Sequence, residues 1–488
     1  MNMAAQCLKY PDEQVSIIDL APTGRVDVTY ADLSEMVDGL ARALQAEVRP
    51  GDRVGVLLSQ SPWCAAAHLA IWKIGAISVP LFKLFKHDAL QSRIKDAAIS
   101  LVLTDPEGAA LVGELARCWQ ADQAGIPGDP VPFASATAKT PAVLIYTSGT
   151  TGSPKGALHG HGVLDGHLPG VSLSHDELGQ SGDCLWTPAD WAWIGGLFDV
   201  LMPALALGVP VVAARMPKFT LEGCLKTIEQ ASVRNVFFPP TALRMLKAEG
   251  ARIGGLRSVA SGGEPLGAEM LAWGRDALGV TINEFYGQTE CNMVVTSCAA
   301  QYETKSGCMG RPVPGFDVAI IDEDGSITEG EGDIAVRRGA PSMMLEYWQR
   351  PGATADKFRG DWMLTGDRGQ QDGPDIRFVG RDDDVITSGG YRIGPAEIED
   401  CLLTHPDVAT VGVVGKPDAL RTEIVKAYVV PKLGRHPDAK SLQAFVKDRL
   451  ANYSYPREIE FLDALPMTVT GKVIRKDLKA RAVREVKD

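Results

Sequence analysis

Residues Tyr146 to Gly156 read YTSGTTGSPKG and directly follow the apolar run Ala142 to Ile145. Hydroxyls, a backbone partly free of Cβ atoms and one ammonium group together can share out the charge of a polyphosphate. The loop is not a Walker A loop, which needs a glycine just before the lysine and a hydroxyl just after it. Here Pro154 precedes Lys155 and Gly156 follows. A plain flexible linker seldom follows a strand and closes on Pro-Lys-Gly. A polyphosphate-holding loop of another kind remains.

Four later stretches extend the pattern in order: NEFYGQTE (Asn283 to Glu290), TGDRGQQD (Thr365 to Asp372), GRDDDVITSGGYRIGPAEIE (Gly380 to Glu399) and PMTVTGK (Pro466 to Lys472). With the loop, they resemble the signature of the adenylate-forming (AMP-binding) superfamily. Within it, they resemble the acyl-CoA synthetase branch close to acetyl-CoA and medium-chain acyl-CoA synthetases. The resemblance implies a two-step reaction. A carboxylate is a poor electrophile; attack on the α-phosphate of ATP makes an acyl-adenylate and frees pyrophosphate, after which a thiol takes the acyl group. The protein aligns the reactants and neutralises spreading negative charge.

By the same resemblance, Thr147, Ser148, Gly149, Thr150, Thr151, Gly152 and Lys155 belong to the loop that holds the departing phosphates. Tyr286, Gln288 and Thr289 belong to the nucleotide site, with Thr289 on the α-phosphate, and Glu290 is the Mg²⁺ ligand. Gly263, Glu264 and Pro265 form the strip beside adenine, and Glu284 accepts from the adenine amino group. Asp367 takes the ribose hydroxyls with help from Arg381, and Arg392 contacts phosphate. Lys472 balances charge developing between carboxylate and α-phosphate, so Lys472, Thr289 and Glu290 are the catalytic candidates. The family's PxTxSGK has Thr470 in place of serine, and QTECNM replaces the common QTETG. Relatives alternate two arrangements by swinging the small domain about a hinge, here Asp383, with Ser388, Gly389 and Gly390 lining the thiol channel.

The acyl pocket implied by the resemblance uses Trp193, Ile194, Gly195, Gly262 and Gly287. Acetate-specific synthetases carry a tryptophan at the position of Gly287 and a larger residue at that of Gly262. Loss of an indole is expected to open space, with about 0.8 kcal/mol of preference per buried methylene. A medium-chain, branched or aromatic acid is favoured over acetate on that argument. Amino-acid activators place an aspartate at the Gly195 position, which disfavours an amino-acid substrate here.

Two kinds of element must position these residues. TYADLSEMVDGLARALQ (Thr29 to Gln45) has a capped helical start, RVGVLL and ISVPLF read as buried strands, and AAAHLAIWKIGA between them reads as a helix. VLIYT, PVVAA, VRNVFF and LRSVASGGE continue a βαβ pattern, and ELARCWQ reads as a helix. From about Gly310, Gly/Asp-rich short strands indicate antiparallel, barrel-like β-structure. The fold class is α/β: a large N-terminal domain of parallel and mixed sheets flanked by helices, residues 1–382, and a small α+β C-terminal domain, 383–488, carrying the lysine.

At 488 residues with 45% hydrophobic and 23% charged composition, two or more domains are expected. The net charge of -12 without a basic run disfavours nucleic-acid and anionic-membrane partners. Nine cysteines without a CxxC, and an N-terminus without an apolar core, suit a reducing cytoplasm. Ile194 to Ala214, the most membrane-like stretch, contains Asp199, Pro203 and Pro210 and reads as a buried helix–turn–strand. The histidines, including His159 and His161, show no metal spacing and read as structural. The expected reactants are a small carboxylic acid, ATP, Mg²⁺ and coenzyme A. Alternatives are an acetate or propionate ligase, an acyl-adenylate donor to a carrier protein, a non-catalytic nucleotide-binding relative and, remotely, a luciferase-type oxidation.

Overall fold

The computed structural model describes residues 2–85, 87–147, 154–381, 384–388, 391–418, 421–450, 454–468 and 471–485. Among them, nine strands form one sheet. It runs from Arg311–Pro312 through Asn292–Thr296, Ile282–Gln288, Ser258–Gly262, Asn235–Phe237, Leu185–Trp186 and Val211–Ala213 to Val15–Ala21 and Gly24–Thr29. The central pairs are parallel and both margins antiparallel. A seven-stranded sheet has the order Glu346–Tyr347, Lys155–Gly160, Pro141–Thr147, Ile77–Pro80, Arg53–Leu57, Leu101–Thr104 and Arg117–Gln120.

Helices expected from the sequence cover these sheets. Tyr30–Gln45 starts at a capping box, with Thr29 accepting from the Asp32 amide while Asp32 accepts from Thr29. Pro62–Lys73 is buried at every residue but Trp63, and its one charge is paired: Lys73 Nζ lies 2.6 Å from Asp38. Its Trp72 indole donates to the Ala142 carbonyl, which ties the helix to the strand Pro141–Thr147. The membrane-like stretch is helical from Ile194 to Leu207, turns at Gly208 with φ 71° and ends in the strand Val211–Ala213. Among the described residues no helix is long and apolar enough to cross a membrane. One expectation fails. ELARCWQ is not a helix; Arg117–Gln120 is a strand, parallel to Leu101–Thr104. It gains its backbone hydrogen bonds at a sheet edge, a non-local partner invisible to local periodicity.

Beyond residue 310 the expected antiparallel structure is present as a half-barrel sheet of Val318–Ile321, Glu331–Arg337, Trp362–Asp372, Phe358–Arg359 and Asp375–Arg381. A fourth sheet follows, of Ile386–Ser388, Tyr391–Ile393, Val408–Asp418, Thr422–Pro431 and Glu458–Phe461, packed with the helices Pro395–Leu403, Ala439–Lys447 and Arg475–Arg484. The architecture is α/β with a large N-terminal part and a smaller C-terminal unit.

Candidate active site

The strands Pro141–Thr147 and Ile282–Gln288, each parallel to a neighbour in its own large sheet, are linked just past their ends through Lys155, Tyr347 and Glu290; strand C-termini are the usual place for a ligand in an open α/β sheet. Strand Pro141–Thr147 delivers Thr147 opposite Lys155, with the Thr147 hydroxyl 3.4 Å from the Lys155 carbonyl. The residues between them that the sequence singles out, Ser148, Gly149, Thr150, Thr151 and Gly152, lie outside the described residues. The ammonium of Lys155 stands over the Tyr347 ring at 5.2 Å. The Tyr347 hydroxyl in turn donates to Glu290 Oε1 at 2.5 Å. Both Glu290 and Tyr347 are buried. Glu290 sits with Thr289 at the turn joining Ile282–Gln288 to Asn292–Thr296, and its carbonyl accepts from the Met344 amide. A buried carboxylate with one oxygen committed to a phenol is the donor type that a hard cation takes.

The residues expected at the nucleoside end come from the same strand and the half-barrel. The Tyr286 hydroxyl donates to Asp367 Oδ2 at 2.6 Å, and Asp367 stands in register with Arg381, whose Nε is 3.8 Å away. The Gln288 amide donates to the Thr365 carbonyl. Glu284 accepts from the Leu266 amide at 3.0 Å; burial raises its carboxyl to about 7, against that hydrogen bond and with a contribution from Asp400. Glu264 is held by Arg244 at 2.8 Å, Pro265 is exposed, and Gly263 adopts φ 101°. Without a Cβ, Gly263 leaves an open strip against which a flat group can lie.

Lys472 reaches this strip from the C-terminal unit. Gly471, with φ 80°, donates to Thr468, and the Lys472 amide donates to the Thr468 hydroxyl, a tight turn that projects the lysine. The turn seats against Thr241, where a Cβ on Gly471 would come within 2.5 Å of the threonine methyl. Lys472 Nζ lies 3.6 Å, and the Trp193 indole 3.9 Å, from where a Cβ on Gly263 would be. Burial lowers the Lys472 pKa; Glu264 opposes this, Arg381 adds to it and Asp367 opposes it. A lysine short of its own counter-ion favours anionic company. Ser388 is elsewhere, buried in the C-terminal sheet and paired with Tyr391 and Thr422. Asp383, Gly389 and Gly390 lie outside the described residues; Arg392 has its backbone in Tyr391–Ile393, and its side chain is outside them too.

The residues proposed for the acyl group are gathered, but the space around them differs from expectation. Trp193, Ile194 and Phe285 pack on the core that contains Phe237. A Cβ on Gly262 would lie 2.4 Å from the Phe285 ring, so that ring fills the volume beside Gly262. A Cβ on Gly287 would lie 1.6 Å from the Asn292 carbonyl oxygen. The bulge between Tyr286 and Gly287 and the positive φ of Asn292 bring that backbone in. Gly287 therefore serves the hairpin's close approach, and the opening expected from a missing indole is taken up by backbone.

A family model described as AMP-binding enzyme matches residues 3–348, and the model of the AMP-binding enzyme C-terminal domain matches 397–472. The chain belongs to the AMP-binding enzyme family. This enzyme is 33% identical over 491 residues to acetyl-coenzyme A synthetase of Bacillus subtilis (strain 168), covering 93% of its own length and 84% of that protein. Its structure superposes on ATP-bound MatB from Rhodopseudomonas palustris with a TM-score of 0.87 at 26% identity, covering 98% of each chain. A TM-score of 0.85 at 28% identity, again over 98% of each, relates it to o-succinylbenzoate CoA synthetase (MenE) of Bacillus subtilis in complex with the acyl-adenylate intermediate OSB-AMP. Within the family it is an AMP-forming acyl-CoA ligase.

Sequence reasoning passed over Tyr347, which this AMP-binding enzyme uses to hold Glu290. The tyrosine lies in MMLEYW with no motif around it, and only the pairing of Glu346–Tyr347 with Lys155–Gly160 brings it there. Arg244, the partner of Glu264, is equally silent in sequence. His161 accepts from the Met3 amide and so anchors the N-terminal helix, a structural use.

Proposed function

We propose that the enzyme activates a carboxylic acid with magnesium ATP, releasing pyrophosphate, and passes the acyl group from the acyl-adenylate to the thiol of coenzyme A, releasing AMP. The observation that carries the reading is the convergence of Lys472 and Trp193 on Gly263. In this arrangement the acid's carboxylate oxygen attacks the α-phosphorus while the Lys472 ammonium stabilises the charge that grows between them. Thr147, Lys155 and the loop residues between them take the departing pyrophosphate; Thr289 faces the α-phosphate. Glu290 would hold Mg²⁺, which neutralises phosphate charge when bound. Asp367 with Arg381 would bind the ribose, and Glu284 the adenine amino group, with Arg392 on phosphate.

The chain divides functionally at 382/383, with Asp383 as the hinge. Once acyl-adenylate exists, the small unit must withdraw Lys472 and present Ser388, Gly389 and Gly390 to the incoming thiol. A cytoplasmic setting, with free coenzyme A as acceptor, suits this chemistry. The apolar walls of Trp193, Ile194, Phe237 and Phe285 support a medium-chain, branched or aromatic acid. The Phe285 ring beside Gly262 and the closed backbone at Gly287 favour a second reading, a short acid such as acetate or propionate. Exchange of labelled pyrophosphate into ATP across acids from acetate to octanoate and benzoate separates the two. The proposal expects an optimum beyond propionate and thioester only when coenzyme A is added. An optimum at acetate defeats the pocket reading, and no exchange with any acid defeats the activity.

A further inference from the structure

The buried carboxyl of Asp199 has one oxygen toward His167 and the other toward Gly195, near the Phe237 ring. From Lys472 the contacts run to Gly263 and its neighbour Gly262, then to Phe285 over Gly262, and to Phe237, whose ring centroid is 5.2 Å from that of Phe285. Phe237 Cε1 is 3.1 Å from where a Cβ on Gly195 would stand, and Asp199 Oδ2 is 3.5 Å from the same point. Gly195, without a side chain, thus leaves Asp199 Oδ2 open toward the edge of the Phe237 ring. The Asp199 side chain is only 10% exposed. Behind it, His167 Nδ1 is 3.2 Å from Asp199 Oδ1 but 2.5 Å from the Phe198 carbonyl, which takes the ring N–H. Asp199 Oδ1 is left without a donor. Burial raises the Asp199 carboxyl pKa, and His167 opposes this. Neither the adenylation chemistry nor the packing of the helical stretch Ile194 to Leu207 uses this group, and buried polar atoms ordinarily have partners.

We propose that Asp199, backed by His167, reads the far end of the acyl group, and that the preferred acid carries a hydroxyl or amino donor there. The inference rests on the acid-activating reading above and adds the substrate class. Phe237 and Phe285 hold an apolar middle, and the donor at the tip satisfies the aspartate. A site built to receive a donor rejects the analogue lacking it far more strongly than an apolar pocket rejects an extra methyl.

The test compares kcat/KM for pyrophosphate exchange within matched pairs: 4-hydroxybenzoate and 4-aminobenzoate against 4-methylbenzoate, and ω-hydroxy and ω-amino acids of four to eight carbons against their methyl-ended counterparts. At least one donor-bearing acid should exceed its matched partner by about tenfold or more. The two donor arms tell a hydroxyl from an amine. In Asp199→Leu the same ratio should fall to about one or invert, carried mainly by KM. Because the ratio is taken within one preparation, a loss of folded protein cancels. Methyl-ended acids that equal or beat every donor-bearing partner overturn the inference and leave the ligase reading intact. An unchanged ratio in Asp199→Leu also overturns it. No exchange with any acid overturns both.

Discussion

At the level of single residues, the site depends on a lysine and a tyrosine that differ in kind. In the proposed reaction Lys472 acts only where charge develops, so its removal should strike one half-reaction. Lys472→Ala is expected to lower pyrophosphate exchange by about 10²–10³-fold, while thioester formation from supplied acyl-adenylate falls much less; equal losses in both assays would refute the role. The working form is the ammonium, and burial lowers its pKa. The exchange rate should therefore decline on the alkaline side at a pH below that of a free lysine, and Lys472→Ala should abolish that limb. Tyr347 acts through Glu290. Loss of a hydrogen bond to a charged group costs about 1.5–3 kcal/mol, so Tyr347→Phe should raise the Mg²⁺ concentration needed for nucleotide binding by roughly tenfold or more. Calorimetric titration of ATP at several Mg²⁺ concentrations reads this directly, and an unchanged Mg²⁺ dependence would leave Tyr347 a packing residue.

At the level of elements, a tight hairpin and a buried ion cluster concentrate strain and charge. The hairpin Ile282–Gln288 and Asn292–Thr296 closes on Gly287 so tightly that any Cβ collides with backbone. Gly287→Ala should destabilise the protein by roughly 1–3 kcal/mol and reduce exchange by displacing Thr289 and Glu290. An unchanged melting curve would mean that the hairpin yields freely. In the small unit, Lys426 is 1% exposed among Glu458 at 2.7 Å, Glu460 at 2.8 Å and Glu485. Lys416 reaches Glu458 at 2.8 Å and Glu485 at 3.0 Å. These ions fasten the end of the helix Arg475–Arg484 to the sheet. Despite the opposing effect of burial, the two lysines hold Glu485 down at about 2. A carboxylate depressed in the folded state stabilises it above its unfolded pKa, and the gain is lost as pH falls through the folded value. The helix should thus loosen between roughly pH 5 and pH 2. Glu485→Gln should lower stability at neutral pH and flatten the acid limb seen by far-ultraviolet circular dichroism; identical acid limbs would show that the network is idle.

At the level of the whole molecule, the small unit meets the large one at several places among the described residues. Gly471 rests on Thr241, and Gly267 leaves room for the Asp400 carboxylate, 3.0 Å from where a Cβ would be. The proposed two half-reactions require these contacts to release between steps. Asp383→Pro, by stiffening the proposed hinge, should slow overall thioester formation about tenfold or more while pyrophosphate exchange persists. Parallel loss of both activities would count against a hinge at this position.

The chemistry-bearing stretches were legible in the order of residues because each must present particular atoms at short range. A glycine before Lys472 turns the chain, Thr289-Glu290 ends a strand, and Asp367 and Arg381 lie on two strands that pair. The helices at 30–45 and 62–73 were legible from caps and apolar content, and the parallel strands from short apolar runs. The strand at 117–120, the grip of Tyr347 on Glu290 and the meeting of Asp199 with Gly195 and Phe237 join residues distant in sequence or hidden in apolar runs. The glycines at 262 and 287 show the limit most plainly. A missing side chain says that something comes close, but only the tertiary structure decides whether it is a ligand, an aromatic ring or another stretch of backbone.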